Sequence, residues 1–352
     1  MKYALPLADC TADRAPDVGG KAIGLGSLLR QERDVPPGFV VTTGAYREWV
    51  AAHRLDREIV RLVGGATNAA GQEAASRAIH DLFWGAALTG DLAAEVAAAY
   101  RQLGDGTDAV VAVRSSATAE DMADASFAGQ QESYLGVTGV DSVLWHVVRC
   151  WASLFTPQAI SYRLRLGIAA DQVAMAVLVQ RLVAAEAAGV MLTIDPVTGD
   201  RSQITIEGAH GLGAPVVGGE LTPDRYTVDK VTLAVRSRTV VRKPFADRFD
   251  HATGTVARFE LEEDEGARSS LTDDEVVRLA RVGKEIERAH GGAVDVEWAV
   301  GPGPEGPRHL YLLQARPETV WSSRQAEAIA SPRTTALDRM VATMLGTRRN
   351  KA

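Results

Sequence analysis

Apolar positions recur with two different periods along this chain. Between Thr272 and Gly291 they fall at Val276, Leu279, Val282 and Ile286, the rhythm of a helix with one buried stripe. Thr272 is placed to cap that helix, Glu275 three residues later completes a capping box, and Gly291 stops it. The period then changes to two. In AVDVEWAVG, Val294, Val296, Trp298 and Val300 share one face of a strand, and Asp295 and Glu297 share the other. In HLYLLQARP, Gln314 and Arg316 share a face by the same rule, and the intervening PGPEGPR makes the pair a hairpin.

The rest of the chain alternates in the same way. VGGKAIGLGSLLR carries a helical rhythm through Ile23, Leu25, Leu28 and Leu29, closed by Pro36 and Pro37, and GFVVTT reads as a buried strand. Alanine-rich helices are predicted from Ala45 to Leu103, a core strand over Ala109 to Ser116, and helix from Asp141 to Arg165 with a break at Pro157. The apolar run Val173 to Val183 predicts a strand ending near Gln180; AAGVMLTIDPVTGD, QITIEGAHGLG and LTPDRYTVDK predict further strands joined by turns. The polar, helix-competent residues after about Ser322 read as peripheral, and the chain shows no internal repeat. The class expected is mixed, α/β or α+β. At 352 residues the chain predicts two domains or lobes.

Composition narrows the partners. A net charge of −7 with interleaved signs argues against nucleic-acid binding, which needs concentrated Lys and Arg. Cys10 and Cys150 are far apart in sequence and have no zinc-type spacing, which fits a reducing, cytoplasmic setting. LPLADC, ending at Cys10, has a lipoprotein-like look, but the apolar run before it is too short for a signal segment. No apolar run is long enough for a membrane span.

Three places could carry chemistry. On the hairpin, two carboxylates, an amide and a guanidinium could converge on one side of a sheet. Hard oxygens of this kind suit Mg2+, which takes one or two carboxylates and leaves room for substrate phosphates, and a nearby Arg suits a phosphate oxygen. The alternative is a solvent-facing, salt-bridged sheet. Lys21 follows the pair Gly19 and Gly20, where backbone can approach an anion, although no Walker A loop or GxGxxG is present; the alternative is an exposed lysine at a helix start. Arg114 ends the core strand, placed either for a ligand or for pairing with Glu120 or Asp121. The Ser-, Thr-, Ala- and Gly-rich segment after it has the composition of an anion-cradling loop or of any exposed turn. Of the scattered histidines only His210, in GAHGLG, is kept as a neighbour of a site.

The order of these segments carries a resemblance. GGKAIGLGSLL, VPPGFVVTT, VRSSATAEDMADASFAGQQES, GVMLTIDPVTGD, GLGAPVVGGELTPDRYTV, DVEWAV and LYLLQARPET together resemble the nucleotide-binding domain of phosphoenolpyruvate synthase, shared with pyruvate phosphate dikinase and rifampicin phosphotransferase. The resemblance covers about Tyr3 to Trp321. It implies an ATP-grasp fold: residues 1–180 as one lobe, 181–321 as a second, and 322–352 as a peripheral tail. It implies ATP and Mg2+ as cofactors. Lys21 and Arg114 would contact the phosphates, Gly129 would belong to a covering loop, and Ser133 stands where the family often has Thr. Gln180 would lie by the adenine, Glu297 and Gln314 would hold Mg2+, and Arg316 would stabilise the transferring phosphoryl group.

The sequence departs from that pattern twice. Ala214 stands where the family often has Glu after GLG. The Gly-Gly…Ser/Cys-His-Ala signature of the swivelling histidine domain is not in this sequence. The expectation is therefore an ATP-binding subunit of a split phosphotransferase, similar in arrangement to phenylphosphate synthase. It would load a histidine on a separate swivelling-domain protein for delivery to a small-molecule acceptor. The alternatives are a stand-alone kinase and a non-catalytic nucleotide-binding regulator.

Overall fold

A computed structural model of the chain describes residues 2–104, 106–117, 133–304 and 306–321. The chain divides into a compact unit, Met1–Glu318, and a second, Thr319–Ala352, of which residues 319–321 are described.

Within the first unit the backbone makes two large sheets and a separate ribbon. The first sheet is built from β1 (Ala4–Pro6), β2 (Gly38–Val41), β3 (Val111–Ala117), β4 (Ser133–Val137) and β5 (Met175–Arg181), in the order β1-β2-β5-β3-β4. The second contains β6 (Ala187–Leu192), β7 (Gln203–His210), β8 (Asp224–Asp229), β9 (Val235–Thr239), β12 (Val294–Gly303) and β13 (Gly306–Pro317), in the order β13-β12-β6-β7-β8-β9. Strands β10 (Phe245–Asp250) and β11 (Thr255–Glu260) form the ribbon. The strand pairs are antiparallel. Of the two class labels expected, α+β fits; the parallel, crossover-connected sense of α/β does not.

The first sheet has two faces with different neighbours. Phe39, Val41, Val111, Val113, Val177 and Val179 point into a core made with α2 (Thr43–Ala52), α3 (Asp56–Gly64), α4 (Ala69–Trp84), α5 (Gly90–Leu103), α6 (Val140–Ala152) and α7 (Pro157–Leu166). Pro157 opens α7, where its missing N–H costs nothing. The alternate residues Val40, Ala176 and Leu178 face α1 (Ala15–Arg30), whose Val18, Ala22, Leu25 and Leu28 join a second core. That core continues into the second sheet through Val296, Trp298, Leu312 and Ala315. Its far side is closed by Val276, Leu279 and Ile286 of the helix Asp273–His290, which has the expected capping box and a left-handed Gly291 at its end.

Helix α1 is tied to both sheets by glycines. At Gly19 (φ +74°) a Cβ would sit 2.3 Å from the Ser116 carbonyl oxygen of β3, and at Gly24 it would sit 2.6 Å from the Ala315 carbonyl oxygen of β13. Only glycine permits both approaches.

Three strands were not expected from the sequence. VRSRT, FADRFD and TVARFE form β9, β10 and β11, but they carry too much charge for a clean alternation. Strand β3 also runs to Ala117, so Arg114 lies within the strand and not at its end.

Candidate functional site

Arg114 is the centre of the cluster. Its cross-strand neighbour in β5 is Leu178, while Gln180 is opposite Ala112, so Arg114 and Gln180 share the α1-facing side of the first sheet. Its guanidinium reaches across to the second sheet. Nη2 donates to Glu297 Oε2 at 2.7 Å and to Gln314 Oε1 at 3.3 Å, and Nη1 donates to the Leu313 carbonyl at 3.4 Å. Among the described residues the acid that pairs with Arg114 is Glu297. Glu120 and Asp121 lie outside the described residues.

The hairpin supplies these oxygens in register. Glu297 is opposite Gln314, and Asp295 is opposite Arg316. A bulge makes this possible. Trp298 pairs with Leu312 and Glu297 with Gln314, leaving Leu313 as an extra residue. Leu310, Leu312 and Ala315 all join the core with Trp298, whereas Leu313 packs against Ala299 on the other face. Without the extra residue, strict alternation would send Gln314 to the same side as Leu312.

The two carboxylates of β12 respond in opposite directions. Burial pushes the Glu297 carboxyl up, but the charge and hydrogen bond of Arg114, aided by Lys21 and Arg316, outweigh it and hold the group below the usual carboxylate range. Burial also pushes Asp295 up. Glu318 and Glu297 add to that rise, and Arg316, whose Nε is 3.4 Å from Asp295 Oδ2, only partly offsets it.

Lys21 is buried at 5% exposure, which removes the exposed-lysine alternative. Gly19 breaks α1 just before it, and Ser116 Oγ donates to the Val18 carbonyl at 2.8 Å, fixing the break against β3. Lys21 Nζ donates to the Ser115 carbonyl at 2.8 Å, one residue along the strand from Arg114. Ser133 begins β4 opposite Arg114 and is exposed. Gln180 is buried and its amide donates to the Pro36 carbonyl at 3.0 Å. Arg316 is half exposed. Gly129 and the segment around it lie outside the described residues. His210 makes no hydrogen bond to Arg114, Glu297 or Gln314; its ring nitrogen Nε2 lies 3.2 Å from the Arg268 carbonyl, and it lines a cavity with Leu182, Ala185 and Leu212.

The structure adds a feature that the sequence reading missed. Beside the charged cluster, on the Glu297 face of the second sheet, Ala188, Ala299, Leu212 and Ala185 make a small apolar patch. Leu182, Val183 and Leu313 pack against it, as does Leu135 from β4 of the first sheet. A cavity of about 740 Å³ adjoins the patch, lined by Leu182, Val183, Ala185 and Leu212 among others, with Arg181 and Arg308 in its wall. None of Lys21, Arg114, Glu297 or Gln314 lines it. The signal was present in the near-continuous small apolar run Leu182–Ala188, but nothing in its period showed which way it faced.

The donor set can accept a cation. Among the described residues no cluster of three or more His, Cys, Asp or Glu side chains is arranged for a metal. Glu297 Oε2 and Gln314 Oε1 nonetheless both contact one cationic group, the Arg114 guanidinium, and Asp295 Oδ1 is buried on the same face without a hydrogen bond. One carboxylate and one amide fit the preference of Mg2+ for few protein oxygens.

The family model described as pyruvate phosphate dikinase, AMP/ATP-binding domain, matches residues 15–336. The chain is 39% identical over 365 residues to the phosphoenolpyruvate synthase of Aeropyrum pernix, covering 94% of this chain and 44% of that protein. It is 37% identical over 350 residues to a Staphylothermus marinus protein named "Probable phosphoenolpyruvate synthase", covering 92% and 42%. The Pyrococcus furiosus phosphoenolpyruvate synthase is 35% identical over 347 residues, with 86% and 42% covered. The chain thus spans less than half the length of these relatives. A match across nearly all of the compact unit, with two sheets meeting at Arg114, Glu297 and Gln314, identifies the chain as a member of the pyruvate phosphate dikinase AMP/ATP-binding domain family.

Proposed function

We propose that this chain binds ATP and Mg2+ in an ATP-grasp cleft and donates a phosphoryl or pyrophosphoryl group to a histidine on a separate swivelling-domain protein in the cytoplasm. The observation that carries the reading is the Arg114 guanidinium of one sheet bound to Glu297 and Gln314 of the other. The two sheets would be the two lobes, 1–180 and 181–321. Charged and apolar surfaces adjoin in the gap between them, as a nucleotide requires: phosphates at one end, a base at the other.

Each residue then has a role. Lys21 and Arg114 would bind the phosphate oxygens, the lysine held by its carbonyl partner on β3. Gln180 lies at the end of β5, next to the Arg181–Glu186 link and its apolar patch, where the adenine would rest. Glu297 and Gln314 would hold Mg2+. Bound there, the ion would neutralise charge on the phosphate oxygens. Arg316, half exposed at the rim, would stabilise the moving group.

The reaction balances as follows. An imidazole nitrogen of the partner attacks the β-phosphorus, the bond from that phosphorus to the α-phosphate bridging oxygen breaks, and AMP leaves with that electron pair. Water then releases phosphate from pyrophosphoryl-histidine, and the remaining phosphoryl group passes to the final acceptor. Four of the chain's seven histidines, His53, His80, His146 and His210, have a ring nitrogen within hydrogen-bond distance of a backbone carbonyl.

The test uses ATP labelled at the β or the γ position, with Mg2+ and a histidine-domain protein of the same source. The β label is expected to stay on the partner, and the γ label to appear on it and then as free phosphate. ATP left intact would overturn the proposal. Turnover by the chain alone, with no protein labelled, would favour direct phosphorylation of a small molecule, a reading to which the cavity beside the apolar patch gives room.

A further inference from the structure

The oxygens assigned to the metal are the ones that Arg114 holds. Nη2 of this single side chain bridges Glu297 Oε2 and Gln314 Oε1, and Nη1 takes the Leu313 carbonyl exposed by the bulge. The guanidinium therefore fills a three-oxygen cradle on the second sheet from a strand of the first. The ion pair is well shielded, with side-chain exposures of 14% for Arg114 and 25% for Glu297. Lys21 adds a second positive charge that acts on the same carboxylate. A divalent cation approaching these oxygens meets a guanidinium already bonded to them, and two cations this close repel strongly in a partly desolvated site.

We propose that Arg114 is an internal counter-ion and latch, which occupies the metal cradle and gives it up only when nucleotide phosphates draw the guanidinium away. This inference rests on the assignment of Glu297 and Gln314 as metal-holding residues. Its physical basis is an exchange of partners. Among the described residues Arg114 pairs with one carboxylate, through Nη2 alone, and a triphosphate offers it more negative charge and a bidentate fit to its fork. Glu297, once released, keeps only the longer-range charges of Lys21 and Arg316 among the described residues, and its oxygen is open to a metal ion. Metal and nucleotide then favour each other's binding although the metal gains no new protein ligand, and that coupling is reciprocal. The same contact joins the two sheets, so the exchange also releases one tie between them.

The prediction is a gain of binding on deletion. Mn2+, a paramagnetic substitute for Mg2+, is titrated into the full chain without nucleotide and followed by electron paramagnetic resonance. Arg114→Gln is expected to bind Mn2+ about fivefold or more tightly than the unaltered chain, the lower end of typical coupling strengths. The same variant should bind ATP more weakly. Arg114→Lys keeps the charge but has a shorter reach and one donor nitrogen in place of the planar fork, so it cannot take the Leu313 carbonyl through a second nitrogen; it should give an intermediate gain, and it serves if the glutamine variant does not fold. Equal Mn2+ affinity in the unaltered chain and in either folded variant overturns the latch. The double replacement Arg114→Gln, Glu297→Gln separates this from the assignment beneath it. Should the double variant lose the Mn2+ that Arg114→Gln binds, the cradle stands and the latch is judged by the single variants alone. Mn2+ binding indifferent to Glu297 overturns both.

Discussion

Arg114 and Glu297 lie 183 positions apart in the chain, yet their side chains meet at 2.7 Å across the gap between two sheets. Against the effect of burial, Arg114 holds the Glu297 carboxyl below the usual carboxylate range. Glu297→Gln is expected to reduce label transfer from ATP by about 100- to 1000-fold, the range for removing one group that stabilises developing charge. Transfer within tenfold of the unaltered chain would remove Glu297 from the site.

The same residue makes a pH prediction. Because the folded-state pKa of Glu297 is lowered, its contribution to stability is present above the unfolded value, near 4.3, and is lost as pH falls through the folded value. Glu297→Gln should therefore lower the unfolding temperature at neutral pH, by about 1–3 kcal/mol of stability, and the difference should shrink in acid. Thermal unfolding measured from neutral pH downward checks this. A difference that stays constant would show that the carboxylate charge contributes nothing.

Arg316 separates enzyme from sensor. Its side chain is 52% exposed and, among the described residues, its ion pair is a long contact with Asp295, so Arg316→Ala should change stability by no more than about 0.5 kcal/mol. Turnover should fall by about 1000-fold or more if it acts on the transferring group, as arginines in phosphoryl transfer do, with ATP binding retained. Unchanged turnover would point to a regulator.

Gly19 allows the α1 break that delivers Lys21. Its φ of +74° and the 2.3 Å approach of a Cβ to the Ser116 carbonyl oxygen make Gly19→Ala costly, by about 2 kcal/mol or more. ATP binding measured by equilibrium dialysis should weaken as well. Gly292→Ala, where an added methyl meets nothing within 4 Å, is the control and should alter neither.

Away from the site, Lys243 and Asp224 form an ion pair at 2.7 Å with both side chains fully buried. Asp224 also accepts from the Val241 and Ser270 amides. Lys243→Met leaves a buried carboxylate without its cation and should cost about 3–5 kcal/mol. Lys2→Met, which removes the exposed pair with Glu48, should cost under about 1 kcal/mol. Chemical denaturation of both variants gives the comparison.

The hairpin was legible because a period of two needs only local sequence, and Asp295, Glu297, Gln314 and Arg316 fall on one face in the structure as they do on paper. The bulge at Leu313 was not legible, since it depends on which residue of the partner strand each one meets. The partner of Arg114 was hidden for a similar reason: local charge pointed to Glu120 and Asp121, while the pairing acid comes from another sheet. The glycines before Lys21 signalled close backbone approach, but the sequence did not show that the lysine would be buried. The charged strands β9 to β11 lacked an apolar face to announce them.

The strand order of the first sheet has a consequence for a chain made from its N-terminus. Strand β5 lies between β2 and β3, yet Met175–Arg181 is the last of its strands to be synthesised. Until it emerges, β1 can pair only with β2 and β3 only with β4. Each half presents an open edge and an uncovered apolar face in that interval, a state prone to wrong association. A nascent chain halted before residue 175 therefore has the alanine-rich helices but no central strand to dock them on, and Arg114 on β3 gains its framework only after Met175–Arg181 has emerged.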